Sequence, residues 1–264
     1  MTDDTLTSPP APPPDACGRC GKPADLCVCQ DLPVQETRLA VLVLQHPQEQ
    51  DVDLGTARLL TLQLARGVLR VGLSWPNLAK ALGPLAKAGE APDPRRWAVL
   101  YMGSGDDVTA TPRGGLRLVD RKGASLPDEA EALAGLDGIV LLDGSWSQAK
   151  ALWWRNAWLL KLRRLVIHPD FRSAYGELRR EPRQESVSTL EAAAFALSRL
   201  EERPELLEAL TAPFKRLVAA YRASGRRAGA GEKRPGRPGG RPGGRWRGRR
   251  GAGKAGGKPA GGAS

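Results

Sequence analysis

The stretch that decides the fold is Gly138–Lys150, which reads GIVLLDGSWSQAK. It combines a continuous apolar run, an aspartate at position 143, a glycine turn and the beginning of a helical pattern. A short apolar run without alternation is typical of a strand that is buried on both faces, as in a parallel sheet. The stretch therefore predicts a strand, a turn and a helix, with Asp143 at the carboxyl end of the strand.

Outward from this unit, apolar runs alternate with helical patterns from about Arg38 to Tyr221. Such alternation predicts an α/β fold with a mostly parallel sheet, in which catalytic residues lie on loops at the carboxyl ends of strands. The predicted strands are Leu39–Gln45, Val68–Gly72, Trp97–Met102, Leu116–Val119, Gly138–Asp143 and Arg164–His168. The predicted helices are Gly55–Gly67, Trp75–Ala88, Asp128–Leu136, Ser147–Lys161, Thr189–Glu201 and Pro204–Arg222.

The two ends of the chain differ from this central part in composition. Residues 1–16 are rich in proline, have no periodicity and are predicted to be disordered. Residues 224–264 consist largely of Gly, Pro, Arg and Lys and are predicted to form a second disordered segment. The N-terminus lacks the basic start and apolar stretch of a signal peptide, and no apolar run reaches the ~18 residues of a membrane span, so we expect a cytoplasmic protein without membrane contact.

The net charge of +11 is concentrated in the C-terminal segment 222–264, the basic tail. The segment 222–264 contains 13 Lys/Arg and one acid, Glu232, and so carries +12, whereas the rest of the chain carries −1. Basic residues at this density can neutralise phosphates, and with Trp246 they fit contact with RNA. A tail that only increases solubility is the alternative interpretation.

All four cysteines lie within 13 residues, as Cys17, Cys20, Cys27 and Cys29. Four thiolates at C-x2-C-x6-C-x-C spacing can complete a tetrahedral shell around zinc. Disulfides are rare in cytoplasmic proteins, so the spacing predicts a zinc knuckle over residues 17–35. A shell of four cysteines leaves no open position for a substrate, which indicates a structural metal.

Asp143 is the candidate catalytic residue. A carboxylate at a strand end beside a glycine turn can accept a proton or bind a hydroxyl, although a lone aspartate there is more commonly a helix N-cap. Two other segments lie at the ends of predicted elements: Gly103–Gly105 follows a strand, and Glu185–Ala194 begins a helix with Ser188 or Thr189 as its cap. The chain has neither a G-x-G-x-x-G stretch that begins a helix nor a P-loop, which argues against NAD and ATP.

The aromatic and histidine residues carry weaker signals. Trp146, Trp153 and Trp154 share one helix face, a spacing that usually indicates core packing. His46 and His168 each end a predicted strand and precede a proline, and a structural or solvent-facing role is the commoner one for such residues.

The cysteine pattern, LVLQHPQE, GTARLL, LLDGSWSQAK and STLEA occur in an order that resembles the DTW-domain family. The resemblance covers roughly residues 17 to 221. It implies a catalytic domain over residues 36–223. The name motif Asp-x-Thr-Trp is Asp143-Gly144-Ser145-Trp146 here, so serine replaces threonine and keeps the hydroxyl. Where the family usually has Asn-Thr, this chain has Gly55-Thr56, which leaves no side chain at position 55 to act.

Bacterial members of that family are tRNA-uridine aminocarboxypropyltransferases, so the resemblance implies this activity, with S-adenosylmethionine (SAM) as donor and tRNA as partner. It also implies a SPOUT-like fold with a C-terminal trefoil knot that binds SAM through three loops. The implied SAM-binding residues are Met102, Gly103, Leu142, Gly144, Ser145, Trp146, Ser188 and Thr189.

Attack by uridine N3 on Cγ of SAM needs a proton acceptor, and Asp143 is the candidate general base, with an orienting role as the alternative. Candidate RNA contacts are Arg58, Lys150, Arg155, Arg179, Arg180 and Arg183. Two rival functions remain open at this point: a SAM-dependent RNA methyltransferase of the same fold, and a non-enzymatic zinc-containing RNA-binding protein.

Overall fold

The computed structural model describes residues 16–86, 91–101, 114–120, 122–178 and 187–226. In this part of the chain one six-stranded sheet forms, with strand order β2-β1-β5-β3-β6-β4. Its strands are β1 (Ala40–Gln45), β2 (Gly67–Val71), β3 (Trp97–Tyr101), β4 (Leu116–Val119), β5 (Gly138–Asp143) and β6 (Arg163–Ile167). All neighbours are parallel except β4, which pairs antiparallel with β6. The six predicted strands and the mostly parallel sheet are confirmed.

Each predicted helical segment also contains a helix. The α-helices are α1 (Ala57–Thr61), α2 (Leu78–Leu82), α3 (Glu129–Ala134), α4 (Trp146–Arg155), α5 (Thr189–Leu200) and α6 (Glu205–Ala223), and a 3-10 turn, Ala157–Lys161, follows α4. None of the helices in the described ranges is long and apolar enough to cross a membrane.

Helices α1 and α2 are shorter than predicted, each for a local reason. After α1, the backbone of Gln63 and Ala65 bonds to that of Gln35, at 2.8 and 3.1 Å, instead of continuing the helix. Helix α2 ends before Gly83 and Pro84, where Gly83 has a φ of 55° and proline cannot continue the α-helical bonding.

The sheet is covered by helices on both faces. Helices α1, α3, α5 and α6 contribute to one apolar cluster, which includes Phe195 and Phe214. Helix α2 and the segment after α4 contribute to the other, which includes Trp97 and Trp158. Because both faces are covered, every residue of β1 is buried, as its unbroken apolar sequence predicted.

The strand order reverses between β1 and β5, which positions the candidate site. From β1 the chain crosses through α1 to β2 on one side, and from β5 it crosses through α4 toward β6 on the other side. Ligands of open α/β sheets bind at the carboxyl ends of strands where the order reverses in this way. Gln45 and Asp143, the last residues of β1 and β5, are register partners at this position.

Candidate active site at the carboxyl ends of β1 and β5

Asp143 is a buried carboxylate that is held from two sides. The residue is only 8% exposed. Oδ1 accepts a hydrogen bond from the Thr189 hydroxyl at 2.6 Å, and Oδ2 accepts one from the Gln45 side-chain amide at 2.9 Å. The end of β5 is thereby joined to the end of β1 and to the start of α5, three segments that are far apart in sequence.

Asp143 is not the N-cap of α4, so the commoner role for a lone aspartate at such a turn is wrong here. The N-cap is Ser145, whose backbone N–H donates to Gln148 Oε1 at 2.5 Å in a capping box. Gly144 lets the chain make this turn, because a Cβ at position 144 would lie 2.9 Å from Gln148 Cβ. Since Ser145 caps the helix, the Asp143 carboxylate is left to contact Gln45 and Thr189.

The N-terminus of α5 contributes a second carboxylate with a different environment. Ser188 is the N-cap, as predicted for this segment, and forms a capping box with Glu191. Glu191 is 2% exposed and also accepts hydrogen bonds from the Ser173 hydroxyl at 2.6 Å and the Ala174 N–H at 2.7 Å. Glu191 therefore fixes the segment after β6 to α5, and the Ser188 hydroxyl is occupied by capping, which leaves Thr189 as the hydroxyl directed to Asp143.

The loop after β1 completes the edge. His46 caps the 3-10 turn Pro47–Glu49, with Nδ1 accepting from the Gln48 N–H at 3.3 Å, a structural role of the kind predicted for it. The Gln148 side chain donates to Gln48 Oε1 at 3.3 Å and joins the β1 loop to the first turn of α4. Thr56 Oγ1 accepts from the Leu190 N–H at 3.4 Å and joins α1 to α5.

The structure brings most of the candidate SAM-binding residues to this edge. Leu142 and Gly144 are half-buried on either side of Asp143, and Ser145 and Trp146 are exposed at the start of α4. Ser188 and Thr189 adjoin them through the Thr189–Asp143 hydrogen bond. The candidates Met102 and Gly103 lie outside the described residues.

The expectation that Trp146, Trp153 and Trp154 pack together in the core is wrong for two of them. Trp146 is 44% exposed and Trp154 is 77% exposed. The buried side of α4 is centred on Leu152, and Trp153 lies at its rim, where its ring packs 5.7 Å from the Arg164 guanidinium. Residues 146 and 154 are turned away from Leu152 by more than a quarter of a helical turn each.

The four cysteines form a compact cluster that fits a tetrahedral zinc ion. All four Sγ atoms lie within 4.8 Å of one another, and Cys20 Sγ and Cys27 Sγ are 3.8 Å apart. A tetrahedron with Zn–S bonds of ~2.3 Å has sulfur–sulfur edges of ~3.8 Å. The thiols are free, and this separation is far beyond the ~2 Å of a disulfide.

The electrostatics of the cluster also favour a cation. The backbone N–H of Cys20 is the main reason that the pKa of Cys17 falls to about 6, whereas burial raises the pKa of the Cys27 and Cys29 thiols. Packed thiolates repel one another, and a divalent cation removes this cost.

Lys22 attaches the cysteine segment, residues 17–35, to the loop before α1. Its ammonium is buried and donates to the carbonyls of Asp53 at 2.6 Å and Gly55 at 2.9 Å. Burial lowers the pKa of Lys22 to about 8. From the other end of the domain, Arg226 pairs with Asp25 at 3.1 Å and Asp53 at 3.3 Å.

The candidate RNA contacts fall into three groups. Lys150 and Arg155 are exposed on α4, the helix that begins at the candidate active site. Arg58 is half-buried, and its guanidinium lies over Gly21 of the cysteine segment. Arg179, Arg180 and Arg183 lie outside the described residues.

Sequence reasoning overlooked the residues that hold this site together: Gln45, Thr56, Lys22 and Glu191. Gln45 had a usable signal, because it is the one polar residue at the end of an otherwise apolar buried strand. Glu191 had another, because a serine followed three residues later by glutamate is the pattern of a capping box. The roles of Thr56 and Lys22 depend on long-range contacts and had no local signal.

Comparison with known proteins gives a consistent result. A family model described as the DTW domain matches residues 14–222. A curated protein named tRNA-uridine aminocarboxypropyltransferase 2 from Drosophila melanogaster is 32% identical over 227 residues, which are 82% of this chain and 81% of that protein. Proteins of the same name from Macaca fascicularis and Mus musculus are 27% and 29% identical over 77% of this chain and 62% of their own length. No solved structure matches the chain.

Proposed function

The chain belongs to the DTW-domain family, and on this basis we propose that it is a tRNA-uridine aminocarboxypropyltransferase. It transfers the 3-amino-3-carboxypropyl group of SAM to N3 of a uridine in tRNA and releases methylthioadenosine. The observation that carries this proposal is the position of the family's name motif. Asp143 of that motif ends β5 where the strand order reverses, and it is bound there by Gln45 and Thr189.

The SAM site in this proposal is the edge formed by the loops after β3, β5 and β6, in a SPOUT-like domain with a C-terminal trefoil knot. Leu142, Gly144, Ser145 and Trp146 supply the loop after β5, and Ser188 and Thr189 supply the start of α5. The Thr189–Asp143 hydrogen bond supports this grouping, because it joins two of the three loops directly. Met102 and Gly103, which follow β3 in sequence and lie outside the described residues, are the remaining candidates of the set.

The transfer forms one bond and breaks another at the same carbon. Uridine N3 attacks Cγ of the aminocarboxypropyl group, the S–Cγ bond breaks, and its electron pair stays on sulfur in methylthioadenosine. The proton that leaves N3 moves to the Asp143 carboxylate. Because the methyl and ribosyl carbons of the sulfonium are also open to attack, the site must present Cγ alone, and such positioning can supply ~7–11 kcal/mol of the barrier.

Asp143 suits the role of proton acceptor for two reasons. An ionised carboxylate has about four acceptor positions, and the structure gives it two donors, one on each oxygen, so each oxygen can still accept another hydrogen bond. The same two hydrogen bonds fix the direction of the carboxylate, which proton transfer at hydrogen-bond distance requires.

The four cysteines, Cys17, Cys20, Cys27 and Cys29, bind structural zinc in this proposal. A zinc ion held by these four thiolates would cross-link the segment and would leave no position open for a substrate. Lys22 fixes the cysteine segment to the loop that leads into α1, because its ammonium donates to two backbone carbonyls of that loop.

The proposed function is tested by product analysis. Purified protein is incubated with SAM and unmodified tRNA, and the small-molecule products and the digested tRNA nucleosides are quantified by mass spectrometry. We expect methylthioadenosine and an aminocarboxypropyl-uridine in equal amounts. Formation of S-adenosylhomocysteine and a methylated nucleoside would overturn the proposal in favour of a methyltransferase. If neither product pair forms, the proposal is also overturned, and non-enzymatic RNA binding is the function that remains.

A further inference from the structure

Helix α4 has an exposed stripe of aromatic and basic side chains. Trp146, Lys150 and Trp154 are spaced at i, i+4 and i+8, and therefore lie along one side of the helix. All three are exposed, and Trp154, at 77%, is the most exposed of the large apolar side chains in the part of the chain that the structure describes. Exposed apolar residues that are scattered singly are ordinary. Here two tryptophans and a lysine lie along the same side of one helix.

The sequence that contains this stripe carries charge of a single sign. The segment 146–164 contains five basic residues and no acid. Its basic residues are Lys150, Arg155, Lys161, Arg163 and Arg164. The rest of the chain carries −1, since the excess lies in the tail, so this segment is a locally positive stretch. It begins at the candidate active site with Trp146 and runs back along α4 to the amino end of β6, which is parallel to β3 and β5.

The helix that carries the stripe is firmly anchored. Leu152 is fully buried beneath it, and Asn156, at its C-terminal end, is also fully buried. The Asn156 amide donates to the carbonyls of Leu73 and Leu152 at 3.0 and 2.7 Å, and its oxygen accepts from the Trp75 N–H at 2.8 Å. Trp154 is thus presented from a fixed backbone, which lowers the entropy that a ligand must overcome to stack on it.

We propose that the Trp146–Lys150–Trp154 stripe binds unpaired nucleotides of the RNA substrate that flank the target uridine. Trp154 stacks on one base, and Lys150 neutralises a neighbouring phosphate. Trp154 lies eight residues after Trp146, or about 12 Å along the helix from the candidate active site. The base that stacks on Trp154 therefore belongs to a nucleotide that flanks the reacting uridine. This inference rests on the proposed function, because it takes the RNA strand to approach Asp143 along α4.

Unpaired RNA is the occupant that this chemistry favours. The exposed Trp154 offers an aromatic face, on which any base can stack, and the basic residues offer contacts to the backbone. In a continuous duplex each base is already stacked between its neighbours. No base face is then available for an exposed indole to stack on. The stripe therefore distinguishes an unpaired tRNA loop from a helix.

The test measures binding of the full-length protein to an unmodified tRNA transcript and to a perfect RNA duplex of similar length. Trp154→Ala is expected to weaken tRNA binding by about 5- to 150-fold and to leave duplex binding unchanged. Trp154→Phe keeps an aromatic face and is expected to restore most of the affinity. Lys150→Gln is expected to reduce the slope of log affinity against log salt by about 0.7–0.9.

Val34→Ala is the matched control, because Val34 is also a large exposed apolar residue and lies outside the stripe. Melting curves of all variants are expected to match the parent, since each side chain is exposed. Unchanged tRNA affinity in Trp154→Ala would overturn the proposal, and so would an equal loss for the duplex. If the parent sediments as a dimer and Trp154→Ala as a monomer with unchanged tRNA affinity, the stripe is a self-association surface instead.

The two proposals fail in different ways. If the parent protein makes no methylthioadenosine with tRNA, the proposed function is wrong, and the binding data alone decide whether the stripe contacts RNA. If transfer by the parent is efficient and Trp154→Ala matches it in both tRNA affinity and KM for tRNA, the stripe is wrong and the proposed function stands.

Discussion

Replacing Asp143 by asparagine separates the chemical role of the carboxylate from its structural role. The asparagine side chain has nearly the same shape but no charge and no proton-accepting oxygen of comparable basicity. One of its terminal atoms can still accept from Gln45 Nε2, which lies 2.9 Å from Oδ2 of the native aspartate. The other becomes an amide nitrogen facing the Thr189 hydroxyl, which lies 2.6 Å from the native Oδ1 and can rotate to accept instead of donate.

The structural cost of this substitution follows from those two contacts. Hydrogen bonds to a charged group contribute about 1.5–3 kcal/mol each and neutral ones about 0.5–1.5 kcal/mol, so weakening both bonds costs about 2–3 kcal/mol. The neutral side chain is cheaper to bury, which offsets part of that. For a domain of this size we expect Tm to fall by less than about 10 °C.

The chemical cost is larger and is visible only in the reaction. Loss of a general base predicts a single-turnover transfer rate that is lower by ~10²–10⁴-fold, with SAM affinity near that of the parent. The rate of the variant should rise with pH, because uridine N3 then loses its proton without help. The assay is transfer from SAM labelled in the aminocarboxypropyl group to saturating tRNA, with Tm and SAM affinity measured on the same preparation.

Thr189→Val and Gln45→Met are the controls, because each removes one donor to Asp143 and leaves its carboxylate in place. We expect them to slow transfer less than Asp143→Asn does, without the same dependence on pH. A parent-like rate in Asp143→Asn refutes the general-base reasoning. Loss of SAM binding in that variant would instead assign Asp143 to the donor site.

Three further outcomes are expected. Purified protein should contain one zinc per chain by elemental analysis, with four thiols that react only after chelation, and fully reactive thiols in a zinc-free protein would contradict the cysteine assignment. Glu191→Gln should lower the free energy of unfolding by about 2–4 kcal/mol in chemical denaturation, because an amide replaces a buried acceptor that faces three donors, whereas the exposed Glu208→Gln should change it by less than about 0.5 kcal/mol. Removal of residues 227–264 should weaken tRNA binding and flatten its salt dependence without lowering the rate at saturating tRNA, and an unchanged salt slope would assign the basic tail another purpose.

The strands were predictable from sequence because burial on both faces leaves a simple mark. Ala40–Gln45 and Gly138–Asp143 are almost uninterrupted apolar runs, and the structure has strands with these bounds. The order of the strands in the sheet was not predictable, because it depends on which crossover packs on which face. The antiparallel pairing of β4 with β6 has no local signal either, since a short strand of four residues looks alike in both directions.

The candidate site was predictable as a set of loops but not as a set of contacts. Position at a strand end together with the family's name motif indicated Asp143, and motif order indicated Ser188 and Thr189. Only the fold shows that the Thr189 hydroxyl meets the carboxylate. The same limit explains the error about the tryptophans of α4. Helical spacing shows which side chains share a face, but the fold decides which face is buried, and here Leu152 occupies the buried side in place of Trp146 and Trp154.

The contacts around Asp143 also explain why a distant cysteine segment is part of a catalytic domain. Lys22 holds the Gly55 carbonyl, and the next residue, Thr56, accepts from the Leu190 N–H at the start of α5. Thr189, one residue earlier in α5, donates to Asp143. The Lys22 and Thr189 hydrogen bonds are 2.9 and 2.6 Å long, and the Leu190–Thr56 bond between them is longer, at 3.4 Å. Disorder in residues 17–35 would therefore loosen the loop before α1 and, through it, the start of α5 that carries the donor to the carboxylate. A metal bound by the four cysteines would therefore influence the position of the Asp143 carboxylate without taking part in the chemistry.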